Sequence, residues 1–145
     1  MDTAGQEQYR SLTKYFYKDA PVAILVYDIT QKVSFENMKN YWFNQLLEFG
    51  CKNIILGVAG NKCDMYNEEE VDENEAKEFA KKIGAFFELT SAKKNTGINE
   101  LFMKIANKIV DLNNSEDSKE KGESREGTVK LDNKNLNKEK RRGCC

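Results

Sequence analysis

Two unbroken apolar runs limit what this chain can fold into. They are Val22-Ala23-Ile24-Leu25-Val26-Tyr27-Asp28-Ile29 and Ile54-Ile55-Leu56-Gly57-Val58-Ala59-Gly60, both rich in β-branched residues and without polar alternation. Runs of this kind mark strands buried on both faces, as in a parallel sheet lying between layers of helix. The intervening segments have helical period. Ser34 is placed to cap a helix with Phe35, Met38, Trp42, Leu46 and Phe49 on one side, and Gly50 to end it. Asp72 and Glu75 have the spacing of a capping box, opening a helix with Ala76, Phe79, Ala80 and Ile83 inward and Gly84 past its end. Phe86–Leu89 reads as a short third strand, and Ile98, Leu101, Phe102, Ile105, Ile109 and Leu112 form the stripe of a last helix. Strand and helix alternate three times, which predicts an α/β fold with a parallel sheet and helices on both faces.

Only 39% of the 145 residues are hydrophobic, and the deficit lies after Leu112. From Asn113 to Arg142 the chain is almost wholly polar and charged. Such a stretch cannot bury enough surface to offset its ordering entropy, so residues 1–112 are expected to fold and 113–145 to form a disordered tail. A net charge of −1, with lysines interleaved among acids, argues against a nucleic-acid partner. The longest apolar run is too short to span a bilayer, and no secretory or transit segment is recognisable. Four cysteines, two of them adjacent at the end, make no disulfide framework. In a reducing compartment Cys51 and Cys63 are expected to be free thiols.

Ligands of parallel sheets collect beyond the carboxyl ends of the strands. Asn61-Lys62-Cys63-Asp64 directly follows the second predicted strand, and Thr90-Ser91-Ala92-Lys93 directly follows the third, so both line one rim. A carboxylate at Asp64 can accept hydrogen bonds from guanine N1–H and its 2-amino group. Adenine offers neither donor there, and a buried carboxylate left unpaired is costly. Asn61 can bridge the loop and reach N7, and the Lys62 stem can lie flat over the base. The backbone N–H of Ala92 can meet O6 while Ser91 holds the loop. The plainer alternative is a pair of polar turns ending strands, but their convergence on one rim weighs against it. Asp2-Thr3-Ala4-Gly5-Gln6 is uninformative alone, and a flexible loop explains it equally well. Its possible chemistry is phosphoryl transfer: Asp2 holding Mg²⁺ through a water, the Gly5 N–H meeting a γ-phosphate oxygen, Gln6 orienting the attacking water.

Together these residues resemble the Rab branch of the Ras-like small GTPases. The likeness covers residues 2–112 almost continuously: Asp2–Glu7, Tyr9–Leu12, Phe16–Ala20, Leu25–Thr30, Ser34-Phe35, Gly60–Asp64 and Glu88–Lys93. It implies a P-loop NTPase-like sheet and a GTP-binding and GTP-hydrolysing switch in vesicle traffic, working with Mg²⁺ and GTP/GDP. It also implies exchange factors, activating proteins, effectors, a Rab escort protein and a GDP-dissociation inhibitor as partners. By the same resemblance Asp2, Gly5, Asn61, Lys62, Asp64, Ser91, Ala92 and Lys93 hold nucleotide, Asp2 holds the metal, and Gln6 is catalytic. The resemblance also implies the cytoplasmic face of an endomembrane, cycling with cytosol; Ser11-Leu12, Val22–Ile24 and Ala59–Lys62 look most like endocytic Rabs.

Three departures accompany the likeness. Met1 stands where the family has Trp, and Phe16–Ala20 replaces the usual Tyr-Tyr-Arg-Gly-Ala. No Gly-x-x-x-x-Gly-Lys-Ser/Thr occurs anywhere, so the family's first strands, first helix and phosphate loop are unmatched. One reading is a Rab GTPase incomplete at its N-terminus. The other is a non-enzymatic, membrane-tethered fragment that binds escort or effector proteins without holding nucleotide. On either, the 145 residues alone are expected to hydrolyse GTP poorly and to carry a bare strand edge. The end supports a membrane role on physical grounds: Cys144 and Cys145 can carry two prenyl chains, as stable anchoring requires, behind the basic run Lys138–Arg142.

Overall fold

The computed structural model describes Tyr17 and residues 20–116. Its elements are β1 (Val22–Asp28), helix α1 (residues 32–49), β2 (Ile55–Asn61), a 3₁₀ helix (Cys63–Glu68), α2 (Glu73–Lys82), β3 (Phe86–Leu89) and α3 (Ile98–Glu116). Among the described residues the strands form one parallel sheet in the order β1-β2-β3. Val22 lies opposite Ile55 and Asp28 opposite Asn61, while Gly57 to Gly60 pair with Phe86 to Leu89. The expected parallel α/β sheet, helices on both faces, is therefore what forms.

β2 lies in the middle and is buried along nearly its whole length. On one face Leu25 and Tyr27 of β1 and Leu56 and Val58 of β2 meet Phe35, Met38 and Leu46 of α1 and Ala76 and Ala80 of α2. Tyr17, Ile29, Val71 and Ile83 complete this larger core. The Phe35 ring, fully buried, stands 4.9 Å from that of Tyr27 and 6.1 Å from that of Phe79, in tilted and edge-on geometries that favour aromatic pairs. On the other face Leu101 and Ile105 of α3 cover Ala59, with Val22, Ile24, Ile55 and Phe86 around them.

Local chemistry explains how the helices begin and end, and corrects several expectations. Asp72 caps α2, its carboxylate accepting from the N–H groups of Asn74 (2.7 Å) and Glu75 (3.1 Å). The reciprocal half of the capping box is replaced by a bridge to α1, where Glu75 accepts from Lys39 at 3.0 Å. Ser34 does not cap α1. The helix begins at Lys32, and the Ser34 hydroxyl instead reaches the Gln31 carbonyl (2.7 Å) and accepts from the Asp28 N–H (2.9 Å). A π turn at Met38–Trp42 adds a residue to the coil, so that Phe43 as well as Trp42 packs against the core. Phe43 then meets Phe79 edge-on at 5.7 Å. Gly50 ends the helix in an extended conformation (φ −79, ψ 169), not a left-handed one. Close approach selects glycine there, since a Cβ would lie 2.5 Å from the Leu46 carbonyl oxygen.

Two burial expectations fail in the same place. β1 is fully covered on one face only: on the other, Val22 and Ile24 are half-buried beside α3 and Val26 is 58% exposed. The α3 stripe is half covered: Leu101 is 2% exposed, Phe102 57%. Both follow from α3 lying over β2 and β3, which leaves the far flank of the helix and the end of β1 without cover among the described residues. Among those residues no helix is long and apolar enough to cross a membrane. Among the described residues Cys63 is a free thiol, as expected.

This division of α3 has a measurable consequence. Leu101→Ala should lower unfolding free energy in urea by about 2–5 kcal/mol, the cost of emptying a packed site, and Phe102→Ala by less than about 1 kcal/mol. Equal losses would show that Phe102 is covered after all.

Candidate functional site

The carboxyl ends of the three strands meet at one rim, and backbone hydrogen bonds carry the sheet's register into the loops. The Thr90 N–H donates to the Gly60 carbonyl (2.8 Å), and the Cys63 N–H to the Thr90 carbonyl (3.0 Å). Ser91 and Thr96 exchange N–H···O bonds of 3.0 and 3.2 Å, closing residues 91–96 into a tight loop. Gly97 ends this loop at φ 72, where a Cβ would lie 2.0 Å from the Leu89 carbonyl oxygen, so no side chain fits.

Side chains then tie the two predicted motifs together. The Ser91 hydroxyl, fully buried, donates to Asp64 Oδ1 at 2.6 Å and accepts from the Lys94 N–H at 3.0 Å. Asn61 Oδ1 accepts from the Ala92 N–H (3.2 Å) and the Thr90 hydroxyl (3.4 Å). That uses the acceptor end of the Asn61 amide and leaves its Nδ2 donors without a partner among the described residues. The Ala92 N–H, which sequence reasoning assigned to a ligand oxygen, is taken up by Asn61 here. A ligand would share or displace that bond.

Asn61, Lys62, Asp64, Met65, Ala92 and Lys93 line a cavity of about 260 Å³. The structure thus brings together five of the sequence-predicted residues around one cavity, with Ser91 behind them. Asp2, Gly5, Gln6, Cys144 and Cys145 lie outside the described residues. The Ser91 hydroxyl holds the Asp64 carboxyl below the usual carboxylate range, and the residue's own backbone N–H and the charges of Lys93 and Lys94 add to this against the opposing effect of burial. Asp64 therefore presents an ionised acceptor at neutral pH. A carboxylate offers about four lone-pair sites, of which Ser91 takes one.

Sequence reasoning missed Met65 and Asp28. Lys62 adopts the left-handed conformation (φ 67, ψ 32), which costs a non-glycine residue about 1–2 kcal/mol. From this turn its ammonium reaches Asp28 Oδ2 at 2.5 Å. Asp28 ends β1 opposite Asn61, so the carboxyl-end argument that found Asn61 applied to it equally. Burial alone would raise its carboxyl; hydrogen bonds from Lys62 and Thr30, and the Lys62 charge, outweigh this and hold it low.

Asp2, the residue assigned to Mg²⁺, lies outside the described residues. Among the described residues no group of three or more His, Cys, Asp or Glu could hold an ion, so the structure gives no geometry for Mg²⁺.

The Ser91–Asp64 bond is open to direct test. Ser91→Ala removes a donor that favours the charged carboxylate, so the Asp64 carboxyl should rise toward its ordinary value near 4 in an NMR pH titration of the side chain. An unmoved titration would remove Ser91 as the group that holds Asp64.

The sequence model of the Ras family matches residues 1–111. Ras-related protein Rab-31 of Rattus norvegicus is 43% identical over 144 residues, covering 99% of this chain and 69% of that protein. Ras-related protein Rab-22A of Homo sapiens is 46% identical over 108 residues, covering 74% and 55% respectively. Ras-related protein Rab11A of Lotus japonicus is 42% identical over 113 residues, covering 78% and 50%. The chain spans from half to just over two thirds of the length of these relatives. With its parallel sheet, and with a family match that runs from residue 1 into α3, the chain belongs to the Ras family, as a small GTPase of the Rab type.

Proposed function

We propose that the cavity beside Asp64 takes a guanine base, and that the chain serves a GTP-binding and GTP-hydrolysing switch in vesicle traffic. One observation carries this reading: Asp64, ionised and oriented by Ser91, forms one wall of a cavity whose other walls include the Asn61 amide and the Lys62 stem. Its free lone pairs match guanine N1–H and the 2-amino group. The donors at Asn61 Nδ2 match N7, and the Lys62 methylenes supply an apolar surface for the face of the ring. Adenine presents no donors to Asp64, so binding it would desolvate the carboxylate without compensation.

The rest of the switch is read from the family likeness. Asp2 would hold Mg²⁺ through a water, Gly5 would meet the γ-phosphate and Gln6 would orient water. Mg²⁺, when bound, would neutralise charge on the phosphates. Cys144 and Cys145 would carry the lipids that hold the chain on the cytoplasmic face of an endomembrane, helped by Lys138–Arg142. Exchange factors, activating proteins, effectors, a Rab escort protein and a GDP-dissociation inhibitor would be its partners. A second reading rests on the sequence, which contains no Gly-x-x-x-x-Gly-Lys-Ser/Thr. On that reading the chain is a membrane-tethered binder of escort or effector proteins.

Titration with fluorescent GDP and ADP decides between them. Guanine preference should be clear in the wild-type chain and should fall about ten- to a hundredfold in Asp64→Ala, the worth of charge-assisted hydrogen bonds. Guanine preference supports the switch, with phosphate release from GTP expected to be slow from these 145 residues alone. Absence of nucleotide binding favours the second reading, and binding that ignores the base would sink the assignment of Asp64.

A further inference from the structure

Asp28 is held from several directions. Its backbone N–H donates to the Ser34 hydroxyl (2.9 Å). Its Oδ1 accepts from both the N–H (2.9 Å) and the hydroxyl (2.8 Å) of Thr30. Its Oδ2 pairs with the Lys62 ammonium at 2.5 Å, and its side chain is only 15% exposed against 46% for that of Lys62. A lysine on a surface loop ordinarily samples many rotamers, and a surface ion pair by itself restrains it little. Here the carboxylate is already fixed by two hydrogen bonds from Thr30, and its backbone by a third to Ser34, so only the lysine has freedom left to lose. The left-handed backbone at Lys62 is the second observation. It turns the chain at the end of β2 while the ammonium is anchored at the end of β1. Between these two fixed ends runs the four-carbon stem that lines the cavity.

We propose that Asp28 is a positioning residue for the base site, holding the Lys62 stem in place so that it is ready to receive the flat face of a purine. This rests on the reading of the cavity as a guanine site and adds a residue to it. Asp28 touches no ligand in this scheme. It acts through Lys62, coupling the end of β1 to a site otherwise built from the loops after β2 and β3. Affinity should therefore depend on Asp28, while the choice between guanine and adenine stays with Asp64.

Two measurements on the full chain test this. The first needs no nucleotide: the acylation rate of the Lys62 amine, read by mass spectrometry, should rise severalfold in Asp28→Asn and less in Thr30→Val. An unchanged rate in both variants, each confirmed folded by circular dichroism, overturns the proposal. The second is a double-mutant cycle on GDP affinity. Asp28→Asn and Lys62→Met should each weaken binding about tenfold, and the double variant no more than either alone. Independent losses that multiply, or GDP binding unmoved by Asp28→Asn, overturn the positioning role and leave the guanine site standing. Failure of the wild-type chain to bind GDP at all overturns both.

Discussion

The rim exists because β2 is hydrogen-bonded along both edges and buried on both faces. Parallel pairing aligns the carboxyl ends of all three strands, whereas antiparallel pairing would send alternate ends to opposite sides of the sheet. Asp28 thereby comes to lie opposite Asn61, and Gly60 opposite Leu89. The ladder then continues past the last paired residues, through Ile29 N–H to Asn61 O, Thr90 N–H to Gly60 O and Cys63 N–H to Thr90 O. Loop positions are inherited from strand positions. Side chains far apart in sequence, such as Asp64 and Ser91, consequently meet at hydrogen-bond distance without a rigid loop of their own.

What the rim does with that placement is sort donors from acceptors. Asn61 spends its carbonyl on Ala92 and Thr90, which leaves amide protons as its free end. Asp64 spends one lone pair on Ser91 and keeps the rest. Ser91 can do this only because its hydroxyl is satisfied in both senses, donating to Asp64 and accepting from Lys94. A buried hydroxyl with one bond missing would be costly, so the loop at 91–96 and the orientation of Asp64 stand or fall together. The gain lies in orientation, since the exposed carboxylate itself contributes little to folding.

Much of this was legible in the sequence because the signals were local and redundant. Continuous β-branched runs gave the strands, Asp72 gave a helix start, and motifs directly after strands gave the rim. Features set by register or by neighbouring elements were not legible. Ser34 has the composition of a cap, yet its hydroxyl serves the end of β1 and the helix starts two residues earlier. The extra residue of the π turn shifts the phase of α1, so a stripe counted at regular spacing omits Phe43. Phe102 and Ile109 fit the period of α3, but periodicity says only which residues share a side, not how far the sheet beneath extends. Asp28 was passed over because a lone acid after an apolar run carries no motif. Its role comes from Lys62, thirty-four positions away.

The two faces of the sheet are unequal, and the inequality bears on the site. The face under α1 and α2 buries a broad aromatic and aliphatic cluster, whereas α3 is held by Leu101, Ile105 and an ion pair from Lys104 to Glu88. Fewer buried contacts mean a lower free energy of local opening, so α3 is the element expected to loosen first. Its first turn receives the loop from the site: the Leu101 N–H donates to the Gly97 carbonyl, and Gly97 directly follows the Ser91–Thr96 pair. Loosening of α3 would therefore release the strand-like closure of residues 91–96 and, with it, the hydroxyl that orients Asp64. Asn61 and Lys62 are anchored instead to β2 and to the end of β1, against the better-packed face. The base site thus has one wall tied to the stable side of the sheet and one tied to its least secured helix. Anything that covers the exposed Phe102 and Ile109 of α3 would steady the second wall without touching the ligand.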